Sequence, residues 1–144
     1  MKKILLKQIS QKQIQTYFEN NFDVLSEMFD RVDLIEFSMK LSLNAKHFYL
    51  FQQGEVAGFL AAYFNDMENK VAYISTVSLF PQFQGQGLGG AMLDEACCYA
   101  KKNGFKVVRL QVRRNNVGAL RFYIKHGFFK AETLEESYFL EKNI

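Results

Sequence analysis

The run Gln84-Gly85-Gln86-Gly87-Leu88-Gly89-Gly90 restricts what this 144-residue chain can fold into more than any other stretch. Glycines so closely spaced weaken an ordinary turn and helix start, because glycine loses the most conformational freedom on ordering, unless the backbone there has to be bare. Before the run, Lys70 to Phe80 reads as a near-continuous strand, and Phe80 precedes Pro81, which biases it to extended geometry and ends the strand. After it, Met92, Ala96, Tyr99 and Ala100 recur at helical spacing from Leu88 to Asn103, with Gly104 placed as a stop. A strand, a bare loop and a helix in this order leave unpaired N–H groups and the positive end of a helix dipole together. Both favour a phosphate.

Two phosphate-binding patterns fail on inspection. A P-loop requires Gly-Lys-Ser or Gly-Lys-Thr at the end of the run, and neither is present. Gly85 to Gly90 satisfies the G-x-G-x-x-G dinucleotide pattern, but that pattern expects an acidic residue about 20 positions later to hold the ribose. No Asp or Glu occurs from Ala96 to Ala131, and only 54 residues follow Gly90. The spacer Pro81-Gln82-Phe83-Gln84 is also too long for the tight turn of that fold.

The remaining elements follow from local pattern. Ile4 to Ile9 reads as a strand, Ser10 and Gln13 form a capping box for a helix to about Asn20, and a second helix falls within Val24 to Asn44. His47 to Gln52 and Val56 to Asn65 read as a hairpin around Gln53-Gly54-Glu55, with a turn at Asn65 to Asn69. Lys106 to Val112 is a strand, Val117 to His126 a helix stopped by Gly127, and Phe128 to Lys130 and Ser137 to Leu140 complete the sheet. The order β-α-α-β-β-β-α-β-α-β implies an α+β fold: a mixed, mostly antiparallel sheet flanked by helices, with a β-α-β crossover late in the chain. At this length, with 49% hydrophobic residues, 15 Phe and 7 Tyr, one domain over residues 1–144 is expected.

Nine Lys and Arg lie in the acid-free stretch from Ala96 to Ala131, so that half of the chain prefers an anion, although the net charge is only +3. A small polyanion suits this better than nucleic acid, since no recognition-helix pattern accompanies the charge. Cys97 and Cys98 are adjacent, which provides neither a disulfide framework nor zinc-ligand spacing, so no metal is expected. No apolar run reaches bilayer-spanning length and the start lacks a signal-peptide pattern, which points to the cytoplasm and to no membrane partner.

The run Val77 to Gly89 resembles the acetyl-CoA motif of the GNAT superfamily of N-acetyltransferases, Q/R-x-x-G-x-G/A, with Gln84, Gly87 and Gly89 at its fixed positions. A second segment, Asn115-Asn116-Val117-Gly118-Ala119-Leu120-Arg121-Phe122-Tyr123-Ile124-Lys125-His126-Gly127-Phe128, is similar to that family's N-x-x-A-x-x-x-Y-x-x-x-G-F. The specific likeness covers about Lys70 to Phe128; the first 45 residues match in architecture only.

This resemblance implies an acetyl-CoA-dependent N-acetyltransferase that needs no metal and works by direct attack of a primary amine. Val77 and Leu79 would offer backbone groups to the pantetheine arm. Gln84, Gly85, Gln86, Gly87, Leu88, Gly89 and Gly90 would cradle the pyrophosphate, and Asn116 would bond the pantetheine while capping a helix. Val77 N–H would stabilise the oxyanion and Tyr123 would protonate the departing thiolate. Arg113, Arg114 and Lys102 are candidates for the outer phosphates. Some relatives place a Glu base where this chain has Gln111, which cannot accept a proton at neutral pH; Glu36, Asp66 and Glu68 stay open as bases acting through water. The acceptor is expected to be a small-molecule amine (amino sugar, amino acid or polyamine), with a protein N-terminus or lysine as the alternative and a non-catalytic acyl-CoA sensor as a third reading. A homodimer is allowed.

Overall fold

The computed structural model describes residues 2–6, 12, 14–16, 39–40, 42–52, 55–80 and 83–144. These form a seven-stranded sheet in the order β1-β2-β3-β4-β5-β7-β6, with strands β1 (Lys2–Leu6), β2 (Lys46–Gln52), β3 (Glu55–Asp66), β4 (Val71–Leu79), β5 (Val107–Arg113), β6 (Phe129–Thr133) and β7 (Ser137–Asn143). Helix α1 (Leu88–Lys102) joins β4 to β5, and helix α2 (Val117–Lys125) joins β5 to β6. Every neighbouring pair of strands is antiparallel except β4 and β5. That parallel pair spans α1, the crossover expected from the pattern.

Residues 12, 14–16, 39–40 and 42–44 are helical, in the two N-terminal regions read as helices. The capping box at Ser10 and Gln13, the hairpin residues Gln53 and Gly54, and Glu36 lie outside the described residues. One feature of the sheet could not be expected from pattern: β7, last in the chain, lies between β5 and β6.

Helix α1 buries Leu88, Met92, Leu93, Ala96, Cys97 and Ala100 against the sheet. The close approach depends on Gly58 in β3, where a Cβ would stand 2.9 Å from Met92 Cε and 2.6 Å from Leu79 Cδ2. The aromatic content is used in the same core, where Phe64 meets Tyr99 and Phe105 edge to face at 4.8 and 5.6 Å.

Strand β4 carries the feature that shapes the site. Its register with β3 shifts so that Ala61 faces Thr76 while Ala62 faces Ile74, leaving Ser75 as an extra residue. A bulge of this kind reverses which face later side chains take. Accordingly Ala72 and Ile74 before it are buried in the core, and Val77 and Leu79 after it, half-buried, pack against the same cluster. The bulge adjoins the place where β4 parts from β5: their pairing ends at Tyr73 opposite Arg109, although the strands continue to Leu79 and Arg113.

Candidate functional site

The parting of β4 and β5 opens a cleft of about 390 Å³ lined by residues 74–79 of β4, Gln84, residues 110–113 of β5, and Asn116, Ala119 and Tyr123. Its walls are backbone as well as side chain. Phe80 N–H donates to Ala57 O at 2.9 Å, so Phe80 and, two residues back, Ser78 turn their amides toward β3. By the same alternation Val77 and Leu79 present theirs to the cleft. On the opposite wall Ile144 N–H donates to Lys106 O at 3.0 Å, which directs the even-numbered residues of β5 to β7 and leaves Gln111 and Arg113 facing β4.

Gln84 stands at the mouth, its Nε2 donating to Leu79 O at 3.4 Å. Gly85 and Gly87 adopt φ of +81° and +73°, the left-handed region open to glycine at little cost, and a Cβ at either would meet nothing within 4 Å. The surface above this turn is bare and open. Gly87 is the N-cap of α1 and makes no side-chain capping bond, and no acidic residue stands in the first turn. The contrast is α2, whose N-cap Asn116 accepts from Ala119 N–H through Oδ1 at 3.1 Å. One helix start is capped by its own side chain, and the other has no side-chain cap.

The later glycines serve packing too. A Cβ at Gly89 would stand 3.3 Å from Phe122 Cζ, and one at Gly90 would stand 2.6 Å from His126 Cε1. They let α2 lie directly on the first turn of α1. Tyr123 reaches the cleft from α2, its ring set edge to face against Phe122 and Phe128 at 5.2 and 5.7 Å, and burial pushes its phenol up to about 12.

Of the residues named from sequence, the fold therefore brings Val77, Leu79, Gln84, Asn116 and Tyr123 around one cleft, with Gly85 to Gly90 continuing from its mouth. Others fall away. Asp66 and Glu68 lie at the β3–β4 turn, at the end of β4 remote from the cleft, where Asp66 Oδ1 accepts from Asn69 N–H at 3.0 Å. Lys102 ends α1, about 21 Å along the helix from Leu88 at 1.5 Å per residue. The Arg114 Nη1 donates to the carbonyls of Leu134 and Glu135, both at 3.3 Å, whereas Arg113 lines the cleft. Gln111 lines it as well, with Nε2 donating to Ser137 Oγ at 2.8 Å. Sequence reasoning missed Ser75, whose bulge is a cross-strand property, and Gly58, whose small size matters only once α1 and β3 are in contact.

The sequence profile of the acetyltransferase (GNAT) family matches residues 8–128. An uncharacterized N-acetyltransferase of Methanocaldococcus jannaschii is 37% identical over 86 residues, covering 57% of this chain and 38% of that protein. The ribosomal protein bS18-alanine N-acetyltransferase of Escherichia coli is 30% identical over 93 residues, covering 65% of this chain and 60% of that one. The chain thus spans between about two fifths and three fifths of the length of these relatives. In structure, the PaiA N-acetyltransferase of Thermoplasma acidophilum in complex with coenzyme A superposes with a TM-score of 0.76 at 21% identity over 99% of both chains, a likeness of fold.

Proposed function

This chain belongs to the acetyltransferase (GNAT) family, and on that premise we propose that it transfers the acetyl group of acetyl-CoA to a primary amine by direct attack. The observation that carries the reading is the split between β4 and β5, which runs into an uncapped, glycine-bare helix start. The pantetheine arm takes the place of the missing strand and bonds the free edge at Val77 and Leu79. Its pyrophosphate rests on Gln84 to Gly90, and Arg113 supplies a cation at the cleft wall. Asn116, while capping α2 through Oδ1, offers Nδ2–H to the arm.

Attack of the amine nitrogen on the thioester carbon forms the C–N bond and places negative charge on oxygen, which Val77 N–H stabilises. Collapse then breaks the C–S bond, releasing CoA and the amide. At about 12 the Tyr123 phenol remains protonated through the physiological range. It donates a hydrogen bond to the sulfur as charge builds there, and a proton it yields is replaced by the one shed from the attacking nitrogen.

The acceptor in this reading is a small-molecule amine, and the enzyme works in the cytoplasm as a monomer or homodimer. A polypeptide N-terminus is the second reading, favoured by the similarity to the E. coli protein-alanine acetyltransferase. It has physical support as well. A peptide α-amine is neutral in roughly one molecule in ten at pH 7, against about one in 2,500 for a lysine-like amine, so it asks far less of a base. Among the described residues lining the cleft the polar side chains are Ser, Thr, Gln, Asn, Arg and Tyr.

The test is acetyl-CoA consumption over a panel of amino sugars, polyamines, amino acids and alanine-initiated peptides, alongside equilibrium binding of CoA and NADH. Turnover with one class identifies the acceptor. CoA binding without turnover on any amine would replace the enzyme with a sensor, and preferential binding of NADH would overturn the cofactor.

A further inference from the structure

Gln111 lines the cleft but takes no part in the chemistry above. Its neighbours fix which face of the sheet it occupies. Val108, Leu110 and Val112, the alternate residues of β5, are buried in the core cluster to which α1 contributes, and Tyr123 of α2 packs against that cluster. Gln111 therefore stands on the other face. There it pairs with Phe139 in the β5–β7 ladder and lies in line with Arg109, whose guanidinium is over the Phe139 ring. The split is thus walled by side chains from both faces of the sheet, Tyr123 from one and Gln111 from the other.

Its level along the split is equally definite. Tyr73 is the last residue of β4 paired with β5, opposite Arg109, so continuing that parallel register brings Gln111 level with Ser75, the extra residue of the bulge. Val77, the proposed oxyanion donor, lies two residues further on, no more than about 7 Å along the strand.

The amide of Gln111 is also held in one orientation. Nε2 donates to Ser137 Oγ at 2.8 Å, and Ser137 is itself buried on β7, the strand on the far side of β5 from the split. With the nitrogen end of the planar amide tied to β7, the carbonyl end is turned away from that strand. Among the described residues no donor is bonded to Oε1.

We propose that Gln111 binds the acceptor, Oε1 accepting an N–H of the incoming amine while Ser137 holds the amide in place, and that the amine enters from the sheet face opposite α1 and α2. This rests on acetyl transfer within the split, as proposed above. An amide does not take up the amine's proton at neutral pH, so its contribution is orientation and charge. A primary amine that gives one N–H to Oε1 keeps its lone pair for the thioester carbon. As the C–N bond forms the nitrogen becomes positive, and the carbonyl dipole then holds it more tightly than in the ground state.

The experiment uses the full chain with spermidine, glucosamine, lysine and an alanine-initiated peptide as acceptors, measuring kcat/KM for the amine and the Kd of CoA. Gln111→Met keeps the length but loses the oxygen. It should lower kcat/KM about 10-fold for the acceptor that turns over, with CoA affinity within about twofold of wild type. Gln111→Ala repeats the test with a smaller side chain. Gln111→Glu keeps an oxygen in place and should retain at least about half of the wild-type kcat/KM. Ser137→Ala frees the amide and should cost about 3-fold, yet nothing further in the Gln111→Met background, where there is no amide to orient. Circular dichroism and thermal unfolding establish that each variant is folded. Equal losses in Gln111→Glu and Gln111→Met, an unchanged kcat/KM in Gln111→Met, or a Ser137→Ala effect that persists in that background overturns the role while leaving acetyl transfer intact. CoA binding without turnover of any of these amines overturns the acceptor site, and absence of CoA binding overturns the cofactor reading itself.

Discussion

Burial pushes the Tyr123 phenol up to about 12, and the sign of that shift fixes what pH can do to the proposed reaction. The neutral phenol is the form that can donate, and raising its value extends that form to higher pH. The kcat/KM profile should therefore show no alkaline loss assignable to this tyrosine below about pH 11, whereas a phenol at the reference value of about 10 would begin to fail a unit or more earlier. Tyr123→Phe keeps the ring between Phe122 and Phe128, so folding and CoA affinity should change little while kcat falls about 10²–10⁴-fold. An unchanged kcat, with chemistry limiting, removes the hydroxyl from the mechanism. Tyr123, Asn116 and Gln84 could be singled out from sequence through the resemblance of two segments to the GNAT motifs, each segment lying within one loop or helix. The contact of His126 with Gly90, 36 positions earlier, could not be, because it exists only once α2 lies on α1.

Among the elements, β4 and α1 were legible because each has a dominant period and a sharp stop, and both lie within a residue or two of where the pattern puts them. What periodicity cannot report is which end of a strand becomes the site. Asp66 and Glu68 are near β4 in sequence, yet the cleft opens at its far end, where pairing with β5 has ceased. The bulge at Ser75 is invisible for a related reason, since one residue too many has meaning only against the partner strand. Gly58 shows how tightly these elements are fitted. A methyl group there would stand 2.9 Å from Ser78 O and 2.6 Å from Leu79 Cδ2. The backbone contact cannot be relieved by a rotamer change. Gly58→Ala should therefore cost about 1–3 kcal/mol by overpacking, measurable as a lowered denaturant midpoint at unchanged m-value. It should also weaken CoA binding, because Leu79 is moved on the strand edge proposed to hold the pantetheine.

At the scale of the whole molecule, the sheet consists of two parts, β1 to β4 and β5-β7-β6, joined edge to edge at Val71, Ala72 and Tyr73 opposite Val107, Val108 and Arg109 and, just before them, by Lys106 N–H and Val107 N–H donating to Lys70 O at 2.8 and 3.2 Å. The second part is braced internally: Arg109 bonds Glu141 on β7 and Glu132 on β6, the latter at 2.8 Å, and its guanidinium lies 4.0 Å from the centroid of Phe139. Helix α2, which belongs to that part, has no fully buried residue, and Val117 and Ile124 are about half exposed. In the proposed mode the pantetheine would bond the β4 edge at Val77 and Leu79 and reach Asn116 at the start of α2 while the pyrophosphate rests at the start of α1, so the ligand would add contact across the split that the strands themselves lack. CoA at about 100 times its Kd should stabilise the folded state by about 2.7 kcal/mol, raising Tm by roughly 5–10 °C for a chain of this size. Amide exchange should slow most across residues 117–125 and at Val77 and Leu79, the positions tied to the bridge. NADH at the same concentration should give neither effect. Gly87→Glu, which places bulk and negative charge at the start of α1, should abolish the CoA shift; because Gly87 sits at φ +73°, the side chain also costs about 1–2 kcal/mol and lowers the unliganded Tm by several degrees, with the folded circular dichroism spectrum retained. A Tm shift with protection confined to α1 would mean that the ligand binds the helix start without spanning the split, and the strand edges would then have no part in holding it.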